Sequence, residues 1–338
     1  MINAVTVISH SGETLRCELA DPERTGFAIA NITGITPGKS NVNVKDIATL
    51  DGGYFQNARL PSRNIVIDYI FLDVYMTKVA PAGGGDPVWI EHYRPIEQVR
   101  QEFYHYYVVK KPVTLVFETD LHKYVIEGYV ESNEPEIFSD MEGAQVSIIC
   151  PNPYFHLADD GLNENGNMSE SVFNQGGSFF FEWSNPRYKR TIQFGNPEDI
   201  IREKTVTIYY SGDVDTGVIF HVSVIGSFNA NYIDFDYYGS DGSQRITTVR
   251  FNDMAFRAAG YGLRVGDELI ISTVPGNKYA KVKRGGTTIN AFAYVDLLPD
   301  WLMLQKGDNI IHIEVNSLVD NMPNVYITME YPILYAGV

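Results

Sequence analysis

The 338-residue chain has little cysteine, no long apolar run and fewer basic than acidic residues. Its two cysteines, Cys17 and Cys150, are too few for a disulfide-stabilised secreted scaffold, so we expect two thiols in a reducing compartment. The N-terminal residues lack the charged and apolar regions of a signal peptide, and the apolar stretch 65–76 is interrupted by Asp68 and Asp73. We therefore expect a soluble protein that is made in a cytoplasm and has no membrane partner.

Positive charge, which nucleic-acid binding requires, is also scarce. The chain has 26 Lys and Arg against 42 Asp and Glu, a net charge of −16. The imbalance is concentrated in residues 1–186, which hold 12 basic and 25 acidic residues, whereas residues 187–338 hold 14 and 17. Nucleic acids and anionic membranes attract cationic proteins, so this charge disfavours specific nucleic-acid binding and membrane binding.

The composition is rich in residues that favour β-strands. Aromatic residues make up 13% of the chain, with 22 Tyr and 18 Phe, and short apolar runs alternate with Gly-containing turns. Eight closely spaced runs in the C-terminal half predict a β-sandwich or jelly roll. They are Thr205–Tyr210, Val218–Ile225, Tyr232–Tyr237, Thr247–Phe251, Glu268–Thr273, Tyr279–Arg284, Asn309–Val315 and Val325–Tyr331.

The N-terminal half combines strands with one helix. Within residues 95–107, Ile96, Val99 and Phe103 recur at spacings of three and four, which predicts an amphipathic helix with the proline as its first residue. The stretch 65–72 is mostly apolar on both alternating faces, so we expect a strand covered on both sides. The sequence therefore predicts an all-β chain with one packed helix, its N-terminal half β-sandwich-like.

A polar, acidic segment separates the two halves. Residues 159–177 are rich in Gly, Asn and Ser, which is typical of a boundary between domains. We therefore predict an N-terminal domain over residues 1–155, a connecting segment over 156–188 and a C-terminal β-sandwich over 189–338.

The chain has no motif of a catalytic, metal or phosphate site. HExxH, GxSxG and GxxxxGK[ST] are all missing, and neither cysteine has a histidine at a suggestive spacing. We therefore assign no catalytic, metal-binding, cofactor-binding or ligand-binding residue and expect no cofactor. The seven histidines are more simply explained as isolated side chains; they are His10, His92, His105, His122, His156, His221 and His312.

Several acidic residues are nevertheless candidates by type. A glycosidase needs two carboxylates at a suitable separation, and an EF-hand calcium site needs a regular ligand spacing. The acids of this chain meet neither requirement clearly, and solvated turn and surface positions are the simpler interpretation. The residues considered are Asp213, Asp215, Asp234 and Asp236 for the carboxylate pair, and Asp159–Asp160 or Asp234–Asp236 for calcium.

Specific strings resemble one protein family. Residues 112–155 look like the end of the N-terminal domain of the distal tail proteins of long-tailed bacteriophages, with a GyV strand, a hydrophobic-plus-serine turn and a strand that runs into CPNPYF. The C-terminal half is similar to the companion domain in tail proteins of phages of Gram-positive hosts, whereas residues 157–188 depart from the pattern. The matching segments are Gly128–Val130, Phe138–Ser139, Cys150–Phe155, Ser211–Phe220, Val265–Gly286 and Asp300–Ile311.

The resemblance implies a structural protein at the virion tail tip. The N-terminal domain would form a hexameric ring that joins the tail tube to the tip, and the C-terminal domain would be galectin-like or similar to a carbohydrate-binding module. The implied partners are copies of the chain, the tail tube protein, the tail-tip hub or tail-associated lysin, receptor-binding or tail-fibre proteins, and host cell-wall carbohydrate. The family has no catalytic residues at these positions. The acidic N-terminal half would suit a ring lumen through which DNA passes without adhering.

Two other functions remain open on the residues alone. The C-terminal sandwich could be an adhesin for cell-wall sugar, with Trp183 or Trp301 stacking on a sugar ring, although most aromatic residues belong to cores or interfaces. A glycan hydrolase with two acidic residues ranks third, because no motif supports it. The matching strings place the structural role first and predict that the protein is not an enzyme.

Overall fold

The computed structural model describes most of the chain as two compact units. The described residues are 1–46, 51–79, 87–138, 141–159, 162–163, 166–174, 179–185, 188–194, 203–226, 228, 230–316 and 325–338, with the backbone alone at 174, 179–185 and 188–194. The first unit comprises residues 1–160 and 335–338, and the second comprises residues 161–334. The first unit therefore includes the last four residues of the chain.

The first unit is built from strands and one α-helix. A turn of 3-10 helix occupies Pro22–Arg24, and α1 spans Ile96–Tyr106. The strands are β1 (Ile2–Ile8), β2 (Thr14–Glu18), β3 (Phe27–Thr33), β4 (Asn41–Asp46), β5 (Gly53–Arg59), β6 (Arg63–Phe71), β7 (Val74–Val79), β8 (Val88–Tyr93), β9 (Pro112–Thr119), β10 (Lys123–Glu136), β11 (Gly143–Cys150) and β12 (Phe155–Leu157).

Most of these strands join one antiparallel sheet against which α1 packs. The sheet runs in the order β2–β1–β9–β10–β11–β6–β3, and β12 pairs with β10. The fully buried Phe103 of α1 lies with its ring centroid 4.9 Å from that of Tyr69 and 5.6 Å from that of Phe27. The predicted apolar stripe is therefore the face that packs. The helix begins one residue later than expected, because Pro95 has an extended ψ of 139°.

Strand β6 corrects one expectation. Alternate residues from Arg63 to Phe71 are buried, whereas Val66, Asp68 and Ile70 on the other face are only half-buried. Successive side chains of a strand point to opposite faces, so β6 is fully covered on one side and not on both. The second face of β6, which carries the apolar residues Val66 and Ile70, is therefore partly open to solvent in the isolated chain.

The second unit is also built from strands, with one short helix. The helix α2 spans Asp253–Ala258, and a 3-10 turn spans Phe292–Tyr294. The strands are β13 (Asn167–Asn174), β14 (Phe179–Asn185), β15 (Tyr188–Phe194), β16 (Glu203–Tyr210), β17 (Thr216–Gly217), β18 (Ile219–Val224), β19 (Tyr232–Gly239), β20 (Thr247–Asn252), β21 (Glu268–Ser272), β22 (Tyr279–Arg284), β23 (Thr287–Asn290), β24 (Val295–Leu298), β25 (Met303–Leu304), β26 (Gly307–Asn316), β27 (Val325–Pro332) and β28 (Leu334–Tyr335).

Two sheets of the second unit pack face to face. A six-stranded sheet runs β13–β27–β18–β21–β22–β23, and a five-stranded sheet runs β16–β26–β19–β20–β24. Phe220 of the first sheet stacks on Phe235 of the second, with ring centroids 3.9 Å apart and planes at 22°. Such contacts between inner faces define a β-sandwich.

All eight strands predicted in the C-terminal half are present, with ends that differ by a few residues. The prediction lacks α2, which is only six residues long and is capped by Asn252, whose Oδ1 accepts a hydrogen bond of 2.9 Å from the N–H of Ala255. None of the helices within the described ranges is long and apolar enough to cross a membrane.

The segment predicted to connect the domains contains regular structure. Residues 167–174 form β13 and pair with β27, and Val172 and Phe173 are buried. These two apolar residues within a polar segment are the reason that it joins the sheet. Residues 160–161, 164–165, 175–178 and 186–187 of the predicted segment lie outside the described residues, as does Ser139 of the predicted turn.

Candidate functional site

The histidines lie in separate surroundings. His122 Nδ1 is 2.5 Å from a carboxylate oxygen of Asp159, and His221 Nδ1 is 2.8 Å from one of Glu268. Burial lowers the pKa of His156. Among the residues that the structure describes, no three His, Cys, Asp or Glu side chains form a group able to hold a metal ion.

Asp234 and Asp236 form ion pairs and hydrogen bonds within the sandwich. Both lie on β19 and are nearly buried, so their interpretation as solvated surface acids is wrong. Arg250 on the neighbouring β20 donates two hydrogen bonds, of 2.7 and 2.6 Å, to the Asp234 carboxylate. Asp236 accepts a hydrogen bond of 2.5 Å from Thr248. Burial raises the pKa of Asp234, whereas the hydrogen bonds from Arg250 lower it.

The remaining candidate acids do not form a pair. Asp213 is exposed and forms an ion pair of 2.6 Å with Lys306. Asp215 is exposed two residues later. The candidate calcium pair Asp159–Asp160 is only partly described, because Asp160 lies outside the described residues. Of the four carboxylates considered for a glycosidase, Asp213 and Asp215 are therefore exposed, whereas Asp234 and Asp236 belong to a buried network.

The two cysteines are free, buried thiols. Burial raises the pKa of Cys17 to about 12 and that of Cys150 to about 11. A thiol reacts as its thiolate, and so low an ionised fraction at neutral pH makes these side chains unsuited to nucleophilic chemistry.

Of the two tryptophans considered for sugar stacking, only Trp301 has a described side chain. It is half-buried and stacks on the exposed ring of Phe292, with centroids 5.8 Å apart and planes at 23°. The side chain of Trp183 lies outside what the structure describes.

The hairpin formed by β4 and β5 has an unusually exposed apolar face. Every residue of the two strands is exposed, and the ribbon pairs with no other strand among the described residues. Val44 lies directly opposite Phe55 across the ribbon, and 57% of Phe55 is accessible. An isolated two-stranded hairpin is only marginally stable in water, so this face is one that a partner would cover.

A second hairpin, formed by β7 and β8, is exposed mainly along β8, whereas most of β7 is half-buried. Val88, Ile90 and Tyr93 are exposed, and Tyr93 is 74% accessible. The base of the hairpin is held by Arg94, which donates a hydrogen bond of 2.8 Å to the carbonyl of Thr25 and forms an ion pair with Glu102. The hairpin is therefore anchored at its base and exposes apolar side chains of β8, which is typical of an interaction surface.

These two hairpins are the strongest candidate functional surfaces of the first unit. Of their four strands, β4 alternates apolar and polar residues, a pattern that predicts a strand but not whether its apolar side meets a core. The sequence therefore does not identify the hairpins as surfaces. One sequence feature does point to exposed apolar surface: the first unit has more apolar residues than one packed sheet can cover. Val66 and Ile70 on the half-buried face of β6 are examples.

Part of the acidic excess of the first unit is neutralised within the chain. Arg16 pairs with Glu118 at 2.8 Å, and Arg100 pairs with Glu142 at 2.8 Å. Other acids of the β10 strand, among them Glu134, are exposed. The first unit therefore presents negative charge to its surroundings as well as apolar ribbons.

Comparison with solved structures shows a known fold over nearly the whole chain. The chain is similar to the crystal structure of SPP1 Dit (gp 19.1), a protein described as a paradigm of the hub adsorption apparatus in phages that infect Gram-positive bacteria. The similarity covers 98% of each chain, with a TM-score of 0.55 and 14% sequence identity. The predicted all-β fold and the resemblance to distal tail proteins are therefore confirmed at the level of the fold.

Weaker similarities carry no argument. A chain of the phage p2 baseplate in its activated conformation with Ca gives a TM-score of 0.43 at 12% identity, with 98% of each chain covered. An exo-β-1,3-galactanase from Phanerochaete chrysosporium gives a TM-score of only 0.20 at 11% identity, over 84% of this chain and 73% of that chain. No protein-family profile and no curated protein sequence matches the chain.

Proposed function

We propose that the chain is a structural component of the tail tip of a long-tailed phage, where copies of it form a ring. The fold likeness to SPP1 Dit over 98% of both chains carries this proposal. Its first unit would form a hexameric ring between the tail tube and the tip. The ring would serve as a hub for receptor-binding or tail-fibre proteins and for the tail-associated lysin, without catalysing a reaction.

The exposed hairpins support this role in physical terms. A closed ring joins unlike surfaces head to tail, so each subunit needs two different patches. The first unit offers two separate apolar ribbons, one around Val44 and Phe55 and one around Val88 and Ile90. Covering such apolar area contributes about 25 cal/mol per Å² to association. The half-open face of β6 adds a further surface of the same kind.

The mass of the purified chain in solution tests the ring. We expect light scattering after size exclusion to give a multiple of the 38.0-kDa subunit, and negative-stain images to show closed rings. Phe55→Glu should shift the mass towards the monomer, because it places a charge in the ribbon interface. Tyr209→Glu is the matched control, since Tyr209 is equally exposed but lies in the second unit. A chain that stays monomeric at high concentration, or a ring insensitive to both variants, contradicts the proposal.

We further propose that exposed acids of the first unit line the lumen of the ring. A negative lumen repels the phosphate backbone and lets DNA pass without adhering. A reconstruction of the ring should place Glu134 and Glu136, both exposed in the single chain, on the inner wall. Their location on the outer rim, or in ion pairs with a neighbouring subunit, contradicts this assignment.

A further inference from the structure

A pocket with cationic and aromatic walls lies at one edge of the six-stranded sheet in the second unit. Its volume is about 360 Å³. It is lined by residues of the edge strand β23 and its neighbour β22, together with Lys278 and Phe292 next to the same end of these two strands. The lining residues that matter here are Lys278, Tyr279, Lys281, Thr288, Asn290 and Phe292.

The aromatic wall is open to an incoming ligand. Phe292 is exposed and is supported from behind by Trp301, which stacks on it in a near-parallel arrangement. Tyr279 is half-buried on β22. Flat, partly exposed aromatic faces in a concave site bind the apolar side of a ligand, while nearby polar groups fix its orientation.

The two lysines of the pocket have no carboxylate partner among the described residues. Lys278 Nζ lies 5.0 Å from the ring centroid of Trp301, and Lys281 Nζ lies 4.4 Å from that of Tyr279. Neither lysine pairs with a carboxylate in the part of the chain that the structure describes. By contrast, Lys283 on the same strand is neutralised by Glu268 at 3.0 Å. Two ammonium groups that line one pocket without a carboxylate partner attract an anion.

Hydrogen-bonding groups complete the pocket. Asn290 is the register partner of Lys281, which puts the amide and the ammonium group on the same face of the sheet. The Oδ1 atom of Asn290 accepts a hydrogen bond of 3.0 Å from the N–H of Phe292, so its amide nitrogen is the part left to donate. Thr288 adds an exposed hydroxyl group on the same strand.

We propose that this pocket binds a saccharide that carries a phosphate group. The phosphate would lie between Lys278 and Lys281, because a lysine ammonium is a common phosphate ligand. The sugar ring would lie against Phe292 and donate to or accept from Asn290 and Thr288. A nucleic acid would also offer phosphate and a flat ring, but the net charge of −16 opposes a polyanion. This inference goes beyond the proposed ring function.

Titration of the full-length chain with small probes tests the pocket. Calorimetry and tryptophan fluorescence would compare glucose 1-phosphate, glucose, inorganic phosphate and a short single-stranded oligodeoxythymidylate. We expect glucose 1-phosphate to bind about tenfold more tightly than glucose or inorganic phosphate, because only it engages both walls. Its affinity should fall as salt concentration rises.

Substitutions in the cationic wall and in the aromatic wall separate their contributions to binding of glucose 1-phosphate. Lys278→Ala with Lys281→Ala should weaken glucose 1-phosphate about tenfold and remove the salt dependence, and Phe292→Ala should weaken the phosphorylated and the neutral sugar alike. Lys204→Ala and Tyr209→Ala, which remove an exposed lysine and an exposed aromatic residue from β16 on the other sheet, should leave binding unchanged.

Four results would overturn the proposal. They are no binding of glucose 1-phosphate, equal binding of glucose, equal binding of inorganic phosphate, and tighter binding of the oligonucleotide. Each is independent of the ring experiment, whose test variant Phe55→Glu lies in the first unit and whose readout is mass. A negative binding result would therefore not count against ring assembly, and a monomeric chain would not count against ligand binding in the pocket.

Discussion

The guanidinium group of Arg63 donates a hydrogen bond of 2.6 Å to the carbonyl oxygen of Ala336, 273 residues further along the chain. The same side chain donates to the carbonyls of Gly34, Thr36 and Pro153 at 2.6 to 2.7 Å. Arg63 is only 6% accessible, and burial lowers its pKa. A planar cation with five N–H groups suits such a set of carbonyl acceptors. Arg63 thus ties the end of the chain to the first unit.

Removal of Arg63 should destabilise the first unit. Arg63→Ala leaves four carbonyls without their donor, and we expect the free energy of unfolding to fall by about 3 kcal/mol. Urea unfolding followed by circular dichroism measures the change. Arg59→Ala is the control, because Arg59 is exposed at the end of β5, and it should change the value by less than about 0.5 kcal/mol. Equal losses in both variants would show that the hydrogen bonds have no special role.

The final residues should be intolerant of added volume. A Cβ at Gly337 would lie 2.8 Å from Cδ and 2.9 Å from N of Pro37, so Gly337→Ala forces the segment away from its site. We expect faster hydrogen exchange at the N–H of Val338, which donates to the carbonyl of Ile35 at 3.0 Å. Gly38→Ala is the control, because its Cβ would meet Leu60 at an ordinary 3.4 Å. Unchanged exchange in Gly337→Ala contradicts the prediction.

Stability should fall in alkali because the buried thiols resist ionisation. An ordinary cysteine has a pKa of 9.0, whereas Cys17 has a pKa of about 12 in the fold. The unfolded chain therefore loses this proton first, and its contribution to stability is complete below pH 9 and is lost between pH 9 and about 12. Burial likewise raises the pKa of Tyr69 and Tyr107, whose hydroxyl groups lie 2.5 Å apart.

The Cys17→Ala variant isolates this contribution. It should reduce the slope of unfolding free energy against pH by up to about 1.4 kcal/mol per pH unit above pH 9. Urea titrations at several alkaline pH values measure the slope. Cys150→Ala serves as comparison: its effect should end near pH 11, where the folded thiol itself ionises. A slope that neither substitution changes would mean that other groups control the alkaline transition.

The buried carboxylate of Asp234 should depend on Arg250. Arg250→Ala leaves the Asp234 side chain, which is only 4% accessible, without its partner, and we expect a loss of about 3 kcal/mol at pH 7. The unpaired carboxyl then has a raised pKa, so it is protonated more readily in the folded state and stability falls as pH rises. The deficit should therefore be smaller at pH 4 than at pH 7.

A neighbouring arginine provides the control for this pair. Arg245 lies 3.7 Å from Asp236 and is 53% accessible, so Arg245→Ala should cost less than about 1 kcal/mol. Thermal unfolding of both variants at the two pH values gives the comparison. A deficit for Arg250→Ala that does not change with pH would indicate lost packing rather than an unpaired charge.

Regular local patterns made much of the fold predictable. The stripe of Val99 and Phe103 predicted α1, and the short apolar runs predicted eight of the strands of the second unit, because side-chain periodicity reflects which face is buried. Helix α2 has too few residues to show a period. Residues 167–174 have the composition of a connecting segment because most of them are polar. The two apolar residues among them that become buried, Val172 and Phe173, are too few to predict a strand.

Most features that the sequence did not predict depend on contacts between residues that are distant along the chain. Asp234 and Arg250 are 16 residues apart and become partners only when β19 and β20 align. The candidate pocket likewise depends on Trp301 lying behind Phe292, which no spacing rule predicts. The exposed strand β4 has the same alternation as a half-buried strand, so its accessibility is visible only in three dimensions.

Because residues 335–338 rejoin the first unit, the second unit is an insertion with two covalent tethers. A single proteolytic cut in either tether would leave it attached to its host. The same topology means that the inserted segment can be lengthened or exchanged between residues 161 and 334 while the host keeps both of its own ends. We therefore expect sequence variation among related chains to be greatest within residues 161–334 and least around Arg63, which holds Ala336 against the first unit.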